Sequence, residues 1–141
     1  MLFRSQAGDL ELATRLLGRS YRMTGRVVEG AKLGRKLGFP TANLRPQRRA
    51  TPLAGVFAVR VLGGGLQNAP GVASLGTRPA VNGKELLLEV HVFDFEGDLY
   101  RQHLHVDFIA RLRDEVWFPD VDQLVQQMNL DAARAREILS R

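Results

Sequence analysis

The sequence predicts a mainly β protein, an antiparallel barrel or sandwich with helical ends. Three observations carry that expectation. Between Tyr21 and Ile109, apolar and polar residues alternate with a period of two in several short runs, as strands with one buried face require. Glycine-rich or Asn-Gly turn signals separate these runs, and no helical period intervenes, so the βαβ units of a parallel sheet are excluded. After Pro119 the pattern becomes that of an amphipathic helix.

Residues 1–8 (MLFRSQAG) carry no periodic pattern and read as a leader or remnant. Asp9 fits the N-cap of a short helix with Leu10, Ala13, Leu16 and Leu17 on one face and Gly18 as its stop. Residues 1–20 are thereby set apart from a domain spanning 21–141. From Tyr21, Met23, Gly25 and Val27 alternate with Thr24, Arg26 and Val28 in a strand that runs toward a glycine-rich loop. Gly55–Leu62 is the second strand, closed by the turn Gly63-Gly64-Gly65, and Gly71–Leu75 is a short third one. Asn82-Gly83 is a type I′ hairpin signal that feeds the longest predicted strand, Glu85–Phe95. Gly97-Asp98 turns the chain into Leu99–Ile109, where Leu104, Val106 and Phe108 alternate with His103, His105 and Asp107. Asp120 and Gln123 stand in capping-box spacing, ahead of a stripe of Val121, Leu124, Val125 and Met128. Asp131 either caps a second segment, Ala132–Leu139, or lies within one bent helix.

At 141 residues, 45% hydrophobic and 25% charged, the chain has enough apolar material for one core. It has no cysteine, so disulfides and thiolate metal sites are excluded. No apolar run reaches membrane-spanning length and residues 1–20 hold no signal-peptide core, which makes a soluble cytoplasmic protein the expectation. Twenty Lys and Arg against 15 Asp and Glu give a net charge of +5, favouring anionic partners.

Three stretches carry chemistry. In Gly30–Asn43 (GAKLGRKLGFPTAN), Gly30, Gly34 and Gly38 enclose Lys32, Arg35 and Lys36. Glycines let backbone N–H groups approach phosphate oxygens, and cations add to that attraction. Thr41 and Asn43 then lie on one side of an extended segment and offer two oxygens to a hard cation such as Mg²⁺. Neither a Walker A loop nor a G-x-G-x-x-G motif occurs, and a solvated glycine-rich surface loop also fits the residues. On the strand LLLEVHVFDF, Leu86, Leu88, Val90 and Val92 share one face and Leu87, Glu89, His91 and Phe93 the other. Glu89 reads either as a solvent-side residue paired with a cation or as a general base. Leu112–Phe118 (LRDEVWF) joins Arg113 and Glu115 to Trp117 and Phe118, offering a stacking surface for a planar ring or an anchor for the C-terminal helix.

The run GRKLGFPTANL resembles the signature of the riboflavin kinase family. GVFAVRV, GVASLGTRP, LEVHVFDFEGDLY and LRDE extend the resemblance in order, from about Leu16 to Arg136. The resemblance implies a six-stranded antiparallel Greek-key barrel with a C-terminal helix, and ATP-dependent phosphorylation of riboflavin to FMN and ADP. It implies Gly30, Gly34, Arg35 and Thr41 at the ATP phosphates, Thr41 and Asn43 on Mg²⁺, and Val92, Asp94 and Tyr100 along the nucleotide. Glu89 would be the base, and Arg113 and Glu115 would contact the flavin. Arg101 departs from the family pattern, which has glycine there. In bacteria the kinase module is usually fused behind an FMN adenylyltransferase half. The chain therefore reads as a kinase module without FAD synthetase activity of its own, with riboflavin and ATP as partners and neither nucleic acid nor membrane. Two rival readings fit the same residues. One is a basic barrel that binds nucleic acid, and the other is a flavin-binding barrel that lacks catalysis.

Overall fold

A computed structural model describes residues 21–28, 41–46, 54–80, 83–95, 99–116 and 118–140. Six strands, β1 (Tyr21–Val28), β2 (Ala42–Pro46), β3 (Gly55–Gly63), β4 (Leu66–Ala80), β5 (Gly83–Val92) and β6 (His103–Arg113), precede one helix, α1 (Val121–Leu139). The strands close into a barrel in the order β1-β2-β5-β4-β3-β6, and every neighbouring pair is antiparallel. The order is that of a Greek key. β3, β4 and β5 follow as hairpins, β6 returns to lie between β3 and β1, and β2 fills the gap between β1 and β5. Closure leaves no strand edge unpaired.

Period-2 alternation sorts the barrel into an inside and an outside. Met23, Leu44, Phe57, Val59, Leu75, Leu88, Val90, Leu104, Val106 and Phe108 point inward and are almost fully buried. Phe57 and Phe108 stack across the β3–β6 pair with ring centroids 4.9 Å apart. Each such ring contributes roughly 1.5–3 kcal/mol by burial. A second, smaller core lies outside the wall, where Val56, Ala58, Phe93 and Leu112 meet Ala135 and Leu139 of α1.

The helix is docked by arginines as well as by apolar contact. Arg60 donates to the Leu139 carbonyl at 2.6 Å and Arg134 donates to the Leu112 carbonyl at 3.0 Å. Arg136 lies over the Phe93 ring and pairs with Asp94. Asp120 is the N-cap and accepts from the Gln123 N–H at 2.8 Å, as the spacing predicts.

Several expectations need correction. β4 is the longest strand at 15 residues, not a short run from Gly71 to Leu75. Pro70, Gly76 and Pro79 look like breaks in sequence, but pairing with β3 on one side and β5 on the other carries the strand through them. β5 ends at Val92, not Phe95, because Asp94 adopts φ 55° and turns the chain away. β6 starts at His103 and runs to Arg113. Its expected first residues, Leu99–Gln102, form a turn held to β1 by Arg101 N–H to Val27 O (3.1 Å) and Val27 N–H to Gln102 O (2.8 Å). Arg101 has φ 71° there, a conformation that glycine adopts without strain. β2 was anticipated only as an extended segment. The C-terminal segment is one helix, with Asp131 in its interior, not a cap. Val121, placed on the apolar stripe, is exposed. The expected N-terminal helix (Asp9–Gly18) and the Gly97-Asp98 turn lie outside the described residues.

Candidate active site

The outer wall of the barrel lines up the chemistry. Val28, Asn43, Glu89, Ser74, Val56 and Arg113 follow one another in register across β1, β2, β5, β4, β3 and β6. Glu89 therefore sits between Asn43 on one neighbouring strand and Ser74 on the other. Thr41, two residues before Asn43, belongs to the same face.

Between this wall and α1 lies a cleft of about 270 Å³. Val56 and Val72 form its floor, and Leu124, Met128 and Ala132 of α1 face them. Polar groups converge at the rim: Thr41, Ser74, Glu89, His91, Arg113, Glu115 and Asp131. Val116 and Phe118 complete the lining from the segment that joins β6 to α1. Apolar walls with a few convergent polar groups are the usual form of a site for a small organic ligand.

That connecting segment is tied down at several points. Ser74 Oγ donates to a Glu115 carboxylate oxygen. Gly76 makes this possible, since a Cβ there would sit 2.6 Å from Glu115 Oε2. Arg111 pairs with Asp114. Arg113 donates to both oxygens of Asp131 from Nε (3.0 and 3.1 Å) and again from one terminal nitrogen (2.8 Å). Its other terminal nitrogen donates to the Asp114 carbonyl at 2.9 Å. The guanidinium also lies 5.7 Å from the Phe118 ring centroid, within cation–π range.

Asn43 is buried, and its Oδ1 accepts no hydrogen bond among the described residues. A buried amide oxygen left without a donor is costly and is the ligand type a hard cation takes. Asn43 with Thr41 thus fits Mg²⁺ on the chemistry of its donors.

Of the residues singled out from sequence, Thr41, Glu89, Arg113 and Glu115 meet at the cleft, and Asn43 joins them through register. Val92 is buried in the inner core. Asp94 and Tyr100 lie at the β5–β6 connection, both exposed. Asp94 is held below its ordinary carboxylate value by its hydrogen bond with Arg136 and by that cation's charge. Gly30, Gly34 and Arg35 lie outside the described residues, as does Trp117. The His105 Nδ1 lies 2.8 Å from Thr24 Oγ1, and no cluster of three or more potential metal-ligating side chains occurs among the described residues. Tyr21 is a core residue.

Sequence reasoning missed Ser74, Asp131 and the helix residues Leu124 and Met128 as parts of one site. No local signal marks Ser74. The stripe of Leu124 and Met128 reads as ordinary core, and a carboxylate at position 131 looks like a cap until the helix is seen to run through it.

Fold and cleft define the class: a small closed barrel with an open cleft between its outer wall and a C-terminal helix. The riboflavin kinase (flavokinase) family model matches residues 17–139. The chain is 49% identical over 133 residues to the bifunctional riboflavin kinase/FMN adenylyltransferase of Pseudomonas fluorescens, covering 94% of this chain and 42% of that protein. The protein of the same description from Haemophilus influenzae is 47% identical over 128 residues, covering 91% of this chain and 42% of the relative. Among solved structures, one described as a macrolide-efflux protein from Streptococcus pneumoniae superposes with a TM-score of 0.85 at 36% identity, over 96% of this chain and 44% of that one. Riboflavin kinase from Trypanosoma brucei superposes at 0.59 and 21% identity, over 85% of this chain and 80% of that one, a likeness of fold. The chain belongs to the riboflavin kinase family, an enzyme family, and corresponds to the kinase part of the bifunctional relatives. It spans about two fifths of their length.

Proposed function

We propose that the chain transfers the terminal phosphoryl group of ATP to the ribityl 5′-hydroxyl of riboflavin, giving FMN and ADP. The observation that carries this reading is the position of Glu89, centred in one cross-strand row between Asn43 and Ser74 and opening onto an apolar slot. The slot takes the flavin ring between the barrel wall and α1, with Arg113 and Glu115 at its polar edge. Glu89 accepts the proton of the 5′-hydroxyl as its oxygen bonds to phosphorus, and the electron pair of the broken P–O bond leaves with ADP. Thr41 and Asn43 would hold Mg²⁺, which supplies neutralisation of phosphate charge when bound. Gly30, Gly34 and Arg35 would contact the phosphates, and Asp94 and Tyr100 would border the nucleotide, with Val92 offering only its backbone because its side chain packs in the inner core. Glu115, Val116 and Phe118 would shield the flavin side from water. In the relatives an adenylyltransferase activity accompanies the kinase in one chain, and we place this kinase module beside such an activity in the cytoplasm.

Riboflavin-dependent ADP release in the presence of Mg·ATP tests the reading. Glu89→Gln is expected to lower turnover about 10²–10⁴-fold with the barrel still folded. Asn43→Ala is expected to lower it in a way that excess Mg²⁺ partly restores. Saturable flavin binding without turnover in the unmodified chain would replace the kinase by a binding barrel, and no flavin binding at all would overturn the reading.

A further inference from the structure

We infer that Asp131 is a positioning residue for flavin binding: from the middle of α1 it fixes the plane of Arg113 at the rim of the cleft. The inference rests on the proposed flavin slot and goes beyond it, to a residue that never needs to touch the reacting atoms.

The geometry is specific. Asp131 is buried and accepts from Arg113 through Nε and one terminal nitrogen, while Gln127 Nε2, one helical turn earlier, donates to its Oδ1 at 3.0 Å. A guanidinium carries five N–H groups. Asp131 engages the Nε–H and one terminal hydrogen, and the Asp114 carbonyl takes one from the other terminal nitrogen. One N–H on each terminal nitrogen is left, and a bidentate pair cannot rotate without breaking both bonds. Arg113 is thus presented in one orientation, beside the Phe118 ring.

A purely structural role, tethering the helix to the barrel, explains less. The helix already has its own apolar core and the tethers from Arg60, Arg134 and Arg136, and none of these three arginines lines the cleft. Asp131 and Arg113 both line it. Buried ion pairs add little net stability compared with apolar residues of similar size, so a pair at this position is better explained by orientation than by docking.

The test is steady-state kinetics of Asp131→Asn with riboflavin and ATP varied separately, alongside flavin fluorescence titration and thermal melting. Asparagine keeps the shape and removes the charge that holds the guanidinium. The expected result is a riboflavin KM and Kd raised about 10-fold or more, the loss of a charge-assisted bond, with the ATP KM within about 2-fold of the unmodified chain. An unchanged riboflavin KM, or equal changes for both substrates, overturns the inference. Should Asp131→Asn fail to fold, Gln127→Ala decides. It frees the carboxylate to shift while leaving the pair in place, so a smaller rise in riboflavin KM alone supports the inference and no change overturns it. Failure of the unmodified chain to bind riboflavin would instead remove the proposed slot itself.

Discussion

Two arginine–aspartate pairs on the same barrel are built alike and placed differently. Arg22 and Asp107 face each other across β1 and β6, with Arg22 Nε to Oδ1 at 2.6 Å and Nη2 to Oδ2 at 3.0 Å. Arg113 and Asp131 make the same kind of fork from β6 to α1. The first pair stands on the open outer wall, with arginine and aspartate side chains 36% and 15% accessible, and the second lies under the helix, where the corresponding values are 22% and 7%. On the open wall, water competes for both partners, and the bond shows mainly as an Arg22 group raised above its ordinary value by Asp107. Under the helix the carboxylate has little access to water and depends on Arg113 and Gln127. Identical side-chain chemistry therefore serves register in one place and the orientation of a cleft-facing group in the other, and the helix makes the difference.

The most severe challenge to that contrast is to replace the enclosed pair by apolar residues. Arg113→Met with Asp131→Leu is expected to leave a folded barrel of similar melting temperature and to weaken riboflavin binding by more than tenfold in a fluorescence titration. Retained binding in the double variant would erase the distinction between the pairs. A smaller effect is expected on the open wall. Asp107→Asn should cost about 0.2–1 kcal/mol in denaturant unfolding, less in high salt, with neither KM changed. Arg101→Gly, in the turn beside β1, should raise stability by about 0.5–1 kcal/mol, because it relieves a positive φ at a non-glycine residue. The smallest effect concerns Asp94 and Arg136. The carboxyl of Asp94 is lowered in the folded state, so its contribution is present above the ordinary carboxylate range and fades as pH falls through the folded value. The melting difference between the unmodified chain and Asp94→Asn should accordingly shrink on acidification below about pH 4.

The inside of the barrel was legible because it obeys a local rule. Leu86, Leu88 and Val90, and again Leu104, Val106 and Phe108, alternate strictly, and all six are buried. The Asp120 cap and the glycine turn at 63–65 were equally plain, each set by its own few residues. Element ends were less so. Asp94 and Arg101 adopt positive φ with nothing in a period-2 pattern to announce it, so both strand limits at this connection were misplaced.

The sequence by itself determined the alternation that builds the wall, the motif run that marks the family and the residues able to carry charge or bind a cation. Those properties reside in neighbours along the chain. Which outward residues share a row was decided only by tertiary structure, because register across β2, β5, β4 and β6 joins Asn43, Glu89, Ser74 and Arg113 from four separate segments. The role of Asp131 was decided there too, since a carboxylate in a helix acquires its partner only when the helix packs against the strand that carries Arg113.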